Sequence, residues 1–319
     1  MSFAEQERAL FDLLFDSELR ERFQKSSSAA LRDYALDENE RADFSIIRAD
    51  GLALDAYLRA DFVLSHLCRS FPLTFTLISS LHGGLDLLRG LIDTRTMRTR
   101  PDERAAEFGT HLRDLLASKS FGSALEKTKA VAITEAELGM AMTASALRQT
   151  LAAGGTEPAV VSELNADWLN QPIQMASYVS ATVIPRSYPE LKQALCPCAD
   201  TELWAHLSNT PLPASKRSVV FAQGEPRLLL AQARVTRRSA CDMTTEHITM
   251  ELSDGFAPLF AHVNGATSVA EILAQMRKIG APEGVLQGIE TGFRQLLEAG
   301  MVESSYKPQA TSYKGNRPK

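Results

Sequence analysis

A mainly α chain of the α+β class is predicted, with an N-terminal helical domain followed by a C-terminal winged-helix domain built on a small antiparallel sheet. Three observations predict it. Apolar residues recur at helical spacing through the first half of the chain. The segment SNTPLPASKR (208–217), with two prolines and two serines, then breaks the pattern. Beyond it the apolar period drops from 3.6 to 2, before three short amphipathic stretches. The expected division is a helical partner-docking domain with an irregular connector over 1–207, a linker over 208–217, a winged helix over 218–306 and a flexible tail over 307–319.

Composition narrows the function classes. With 319 residues, 45% hydrophobic and 23% charged, the chain has the make-up of a globular protein with a packed core. Its net charge of -5 gives no support to a phosphate-neutralising surface, so no nucleic acid is expected as a partner. No apolar run reaches the length of a membrane span, and MSFAEQERALFDLLFDSELRERF is acidic and amphipathic where a secretory leader would be basic and then apolar; a cytoplasmic location without membrane attachment is expected.

The helices follow in order. Leu10, Leu13 and Leu14 recur at helical spacing near Phe3 and Phe11, and Asp16 and Ser17 can restart the helix. In LDENERADF, Asp37 and Glu40 have capping-box spacing. In LALDAYLRADFVLSHLCRSF, Leu54, Leu58, Asp61 and Phe62 fall on successive turns, followed by Leu64, Leu67 and Phe71; Pro72 interrupts. LTFTLISSL is a buried run that fits helix or strand, with helix favoured by its neighbours. LDLLRGLID starts another helix, and more are expected around 103–117, 134–152 and 158–170. NQPIQMASYVSATVIPRSYPELKQALCPC mixes prolines with apolar residues and reads as a connector packed on the helical domain, with DTELWAHL as a short helix.

Past the linker, SVVFA and RLLLAQARV resemble paired strands around the turn QGEP. In TEHITMELS, Ile248, Met250 and Leu252 alternate with His247, Thr249 and Glu251, giving a strand with one buried face. Leu259, Phe260 and Val263 face inward on a first helix that Asn264-Gly265 can end. Ser268 and Glu271 can box the start of a second, with Val269, Ile272, Leu273 and Met276 as its stripe and Gly280 at its close. Leu286, Ile289, Phe293, Leu296 and Leu297 line a third, which ends at Gly300.

Residues with catalytic or metal-binding spacing are missing. The six histidines (His66, His82, His111, His206, His247, His262) form no H-x-x-x-H or H-x-H pattern, and the C-x-C pair Cys196/Cys198 has no second pair to complete a zinc site. Neither catalytic nor metal-ligating residues are expected here. The third helix carries Arg294 against Glu290 and Glu298, a poor surface for phosphates; a winged-helix regulator that binds DNA or protein is the alternative from another class.

Two stretches resemble known families. PLFAHVNGATSVAEIL…FRQLLEAGMVE resembles the PqqD-type recognition element, a winged helix that captures leader peptides of ribosomally made natural products. The N-terminal stretch with LCRSFPLTF, SSLHGGLD and MRTRP is similar to the MbnC/TglI-like partner subunits. The resemblance implies a heterodimer with an MbnB/TglH-like TIM-barrel enzyme that holds iron ions and oxidises a cysteine of a precursor peptide. This chain would have no cofactor of its own. In the TglI-like branch, the favoured one, the β-carbon of a C-terminal peptidyl cysteine is excised, leaving 2-mercaptoglycine and formate. In the methanobactin-type branch the alternative outcome is oxazolone and thioamide.

The expected leader site is a sheet edge to which the peptide adds a strand. Thr245, His247, Ile248, Thr249, Met250, Glu251 and Leu252 form that edge; Leu286, Ile289, Glu290, Phe293 and Arg294 form a helical wall beside it. The expected docking residues are Arg69, Phe71, Arg95, Arg98 and Arg100; the last three lie with Arg104 in a loop, IDTRTMRTRPDER, whose guanidinium forks suit carboxylates.

Overall fold

The computed structural model describes residues 3–101, 103–119, 123–157, 164–217, 224–237 and 243–305. The chain is mainly helical with two three-stranded antiparallel sheets, the α+β class the sequence predicts. Its two compact units do not divide at the proline-rich segment. One takes Met1–Ser145 with Ile184–Gly224, and the other takes Ala146–Val183 with Glu225–Lys319.

The first unit contains α1 (Phe3–Phe15), α2 (Ser17–Lys25), α3 (Ser27–Ala30), α4 (Glu38–Ser45), α5 (Ala49–Leu67), α6 (Pro72–Ser79), α7 (Gly84–Gly90), α8 (Thr94–Arg98) and α9 (Arg104–Ser118). Most of α10 (Ala124–Ala152) follows, and later α11 (Tyr188–Leu195) and α12 (Leu203–Asn209) return to it. Local chemistry starts several of these. Asp16 accepts the Leu19 amide at 2.9 Å. Asp37 and Glu40 exchange bonds of 2.9 and 2.8 Å in the expected capping box.

Helix α6 settles the LTFTLISSL ambiguity. Pro72 sits at its first position with φ already suited to a helix, and all eight side chains are buried. Two of its hydroxyls are satisfied within the helix, Thr76 donating to the Pro72 carbonyl and Ser79 to that of Thr76, both at 2.8 Å, while Thr74 bonds the Thr134 hydroxyl at 3.1 Å. Around it pack Phe71, Phe108 and Trp204: Phe75 lies 6.0 Å from Phe108 and 5.8 Å from Trp204, centroid to centroid. Helix α9 also comes close to this cluster: a Cβ on Gly109 would stand 2.5 Å from Phe71 Cζ and 2.8 Å from Leu138 Cδ1.

Two expectations change in this unit. Of the α5 residues expected to form one stripe, Leu64 and Leu67 are buried with Leu52, Ala56, Ala60 and Val63, whereas Leu54, Leu58 and Phe62 face water. The helix is apolar on two faces, so spacing alone could not identify the inner one. IDTRTMRTRPDER is not a loop: Asp93 accepts the Thr96 amide at 2.7 Å and starts α8.

The second unit contains β1 (Pro172–Met175), all but the last residue of β2 (Val179–Ile184), β3 (Arg227–Arg237), β4 (Met243–Ser253), a 3-10 segment (Asp254–His262), β5 (Asn264–Ser268), α13 (Val269–Lys278), α14 (Glu283–Glu298) and β6 (Val302–Ser304). The strand orders are β5-β1-β6 and β2-β3-β4. Its core joins Ile173, Leu228 and Leu230 from strands to Ile272, Phe293 and Leu296 from helices.

The connector reading of 170–198 is therefore corrected. Residues 172–175 are the central strand of one sheet and 179–184 an edge of the other, and only the part from Ile184 onward belongs to the helical unit. Strands of four and six residues bounded by prolines carry too short an alternation to register in sequence. RLLLAQARV is a strand, but it pairs with TEHITMELS; SVVFA lies outside the described residues, as do the tail and residues 158–163 of an expected helix. In the remainder of that helix only Trp168–Asn170 winds, as a 3-10 turn. The first of the three expected short helices is 3-10 and contains Pro258, which removes a donor. Asn264-Gly265 opens β5 and does not cap a helix: the Asn264 Oδ1 accepts the amides of Ala266 and Thr267 at 2.9 and 3.2 Å.

Ser268 and Glu271 form the expected capping box, with bonds of 3.3 and 2.8 Å. Ser268→Ala is expected to lower the stability of this unit by about 1 kcal/mol in urea denaturation; an unchanged midpoint would remove the box from the account of α13.

Candidate peptide-binding edge

Strand β4 is positioned by β3. The two pair without interruption from Arg227↔Ser253 to Arg237↔Met243, and β2 occupies the other side of β3. That leaves β4 at the margin of its sheet, with no strand on its outer side among the described residues. A row of main-chain donors and acceptors at such a margin can accept a further strand.

Alternation along β4 sorts its side chains. Met250 and Leu252 pack on the core opposite Leu230 and Leu228. Ile248 continues their face but is 50% exposed, and Thr249 is exposed on the other face. His247 and Glu251 are half-buried, and Thr245 accepts a 2.8 Å bond from the Arg148 guanidinium near the end of α10.

The margin is held in place by groups that periodicity does not reveal. Gln232, buried within β3, donates to the Gly300 carbonyl at 2.9 Å, while its Oε1 accepts from Arg234 Nε at 2.8 Å. It thus ties the β3–β4 pair to the turn before β6. Its one sequence signal is being the lone amide in the apolar run RLLLAQARV. Tyr178, between β1 and β2, has a left-handed φ of 62°, unusual for a bulky residue. Its hydroxyl bonds Thr150 Oγ1 at 2.8 Å and its carbonyl accepts the Ala233 amide at 3.0 Å, which fixes that turn against β3.

The helical wall is not where the sequence reading puts it. Leu286, Ile289 and Phe293 are core residues, the last fully buried and 5.4 Å from the Phe256 ring. Their spacing is that of a helix packing inward, which also explains why they stood out in sequence. Glu290 and Arg294 are at the surface, but Arg294 donates to Glu290 at 3.2 Å and lies 5.5 Å from the Trp168 ring centre. Helix α14 packs on β6, a strand of the other sheet. Strand β4 thus stays at its sheet margin, while the stripe expected to wall it faces the core of its own unit.

The expected docking residues of the helical unit are also divided. Phe71 is fully buried and cannot face a partner. Arg98 bonds Asp12 at 2.6 Å and covers the Phe11 ring, and Arg95 pairs with Glu107. Arg104 donates to the carbonyls of Thr96, Met97 and Thr99, each at 3.2 Å, closing the end of α8. Arg69 and Arg100 are exposed. Much of the basic cluster serves the fold of its own unit.

The C-x-C pair lies at an open depression of about 550 Å³ lined by Lys192, Gln193 and Asp200. Burial pushes the Cys196 thiol up to about 12, with the Glu137 carboxylate adding to the effect, so it stays protonated at neutral pH. Among the described residues no three His, Cys, Asp or Glu side chains gather to hold a metal ion, and no helix is long and apolar enough to cross a membrane.

No family model, no curated protein sequence and no solved structure matches the chain.

Proposed function

We propose that this chain is a non-catalytic subunit that recognises a ribosomal precursor peptide and activates a heterodimeric, iron-dependent enzyme acting on a peptidyl cysteine, with β-carbon excision to 2-mercaptoglycine and release of formate. The iron would belong to a TIM-barrel partner. The reading rests on the PqqD-like and MbnC/TglI-like stretches, and the structural observation that carries it is the open margin of β4. An eleven-residue strand whose inner neighbour β3 is paired on both sides offers its outer edge to an added strand. Main-chain pairing there supplies affinity independent of side chains, and half-exposed Ile248 supplies an apolar foothold. The exposed side of α14 presents Glu283 and Glu298 with Arg294, an acidic balance that does not favour a phosphate backbone.

Ordering a flexible peptide costs about 2–5 kcal/mol, so loss of one foothold should be measurable. The test is fluorescence anisotropy with a fluorescein-labelled synthetic peptide, taken from a short cysteine-terminated reading frame beside the gene. Ile248→Asp is expected to weaken binding about tenfold or more. Val285→Asp, a change at an exposed position on α14, is expected to leave it unchanged. Equal affinity of the folded Ile248→Asp variant and the parent, or a loss confined to Val285→Asp, would move the site away from β4.

A further inference from the structure

Helix α5 has an outer face that nothing covers among the described residues. Leu54, Leu58 and Phe62 are 60%, 57% and 67% exposed, and Tyr57 beside them 46%. Spaced four residues apart, the first three form a stripe about 12 Å long on one side of the helix. Together the four expose an apolar area of order 500 Å², comparable to the largest patches on monomeric proteins. An exposed apolar stripe of this kind, continuous along one helix face, marks an interface.

We propose that this face is where two copies of the chain associate, α5 against α5, antiparallel, about a two-fold axis at Leu58. The order of residues along the helix is what such an axis demands. Leu58 meets its counterpart, and Leu54 and Phe62, four residues to either side, fall opposite one another across the pair. The charges on one flank obey the same rule. Asp55 lies three residues before the axis and Arg59 one residue after it, so inversion brings each Asp55 within about 3 Å, along the axis, of the other copy's Arg59. Within one chain these two side chains bond at 3.0 Å while remaining about half exposed, at 47% and 54%, which leaves them able to extend the pair across the interface. The other flank is closed internally: Arg89 bonds Asp61 at 2.9 Å and covers the Tyr57 ring at 4.5 Å, so no isolated charge opposes docking there.

The stripe supplies about three fifths of the ~800 Å² per partner of a standard interface, the polar rim adding the rest. An interface at or below the standard size suits a reversible dimer, and association in the micromolar range is expected. This surface lies in the helical unit and does not depend on peptide binding at β4.

Sedimentation velocity of the full chain, from about 1 to about 100 μM, tests it. The parent should pass from monomer to dimer over that range. Leu58→Arg, at a position already facing water, should keep its circular dichroism and remain monomeric, with association weakened at least about 100-fold. Asp55→Arg and Arg59→Asp should each be monomeric alone, since each sets like charges against one another. Mixed in equal amounts they should form a 1:1 dimer, because the two opposed charge pairs become complementary. A parent that stays monomeric throughout, a dimer that survives Leu58→Arg, or a mixture that fails to associate would each overturn the proposal. So would a monomeric parent that binds a barrel enzyme through this face, with binding lost in Leu58→Arg.

Discussion

Glu137→Ala is expected to cost the helical unit about 3–5 kcal/mol, enough to remove much of the stability of an ordinary domain. Glu137 is fully buried in α10, where its two oxygens accept the amides of Leu73 and Thr74 at 2.9 and 3.0 Å, and the Tyr188 hydroxyl donates at 3.1 Å. The first turn of α6 has no cap from its own neighbour Phe71, so a carboxylate from a helix more than sixty residues away fills that role. Alanine would strand two amides in a site closed to solvent. Calorimetry on the purified chain checks this. A transition of the helical unit within about 1 kcal/mol of the parent would show that α6 does not depend on this carboxylate.

The same residue sets a pH dependence. Burial pushes the Glu137 carboxyl from 4.5 up to about 7, against the pull of its hydrogen bonds. The folded state therefore holds a proton that the unfolded chain has already released. The contribution is most favourable below about pH 4.5; it declines as pH rises to about 7 and is level beyond, a loss of about 3 kcal/mol in all. Glu137→Gln keeps an acceptor but cannot titrate, and should flatten the decline between those limits in a urea-midpoint series. A parent and variant whose curves run parallel would assign the titration elsewhere.

Gly109→Val is the second large effect, about 2–4 kcal/mol by overpacking and a fall in melting temperature of about 5–10 °C. The new Cβ would stand 2.5 Å from Phe71 Cζ, and that ring is enclosed, with Phe108 at 6.4 Å and no route to solvent. The clash falls on a ring and not on the free end of a flexible chain, so relief requires α9 to move. The variant separates two roles for Phe71. A residue that docked a partner would tolerate Gly109→Val with only binding lost, whereas a core residue transmits the change to the melting temperature, read by near-ultraviolet circular dichroism.

How much the sequence reveals follows from the range of the forces involved. The capping boxes at Asp37/Glu40 and Ser268/Glu271 were legible because both partners lie within one turn. Helix α6 was recoverable from Pro72 and its neighbours, and β4 from strict alternation. Strands β1 and β2 were not: Ile173 becomes a core residue only through β5 and β6, which lie some ninety and one hundred and thirty positions further on. The role of Glu137 was hidden for the same reason. For the candidate site, alternation identified the strand, but the stripe read as its wall was the helix's own inward face, Leu286, Ile289 and Phe293. A hydrophobic pattern tells which residues leave water, not what they leave it for.

The late arrival of β1's partners bears on how the protein can be taken apart. A truncation beginning at the proline-rich segment would retain β5 and β6 yet discard the strand that lies between them. Such a fragment would have a cleft through its sheet and two raw borders, and insolubility would be its natural fate. Dissecting this protein calls for excision of residues 184–224 with the ends rejoined, so that 146–183 stays covalently attached to what it completes.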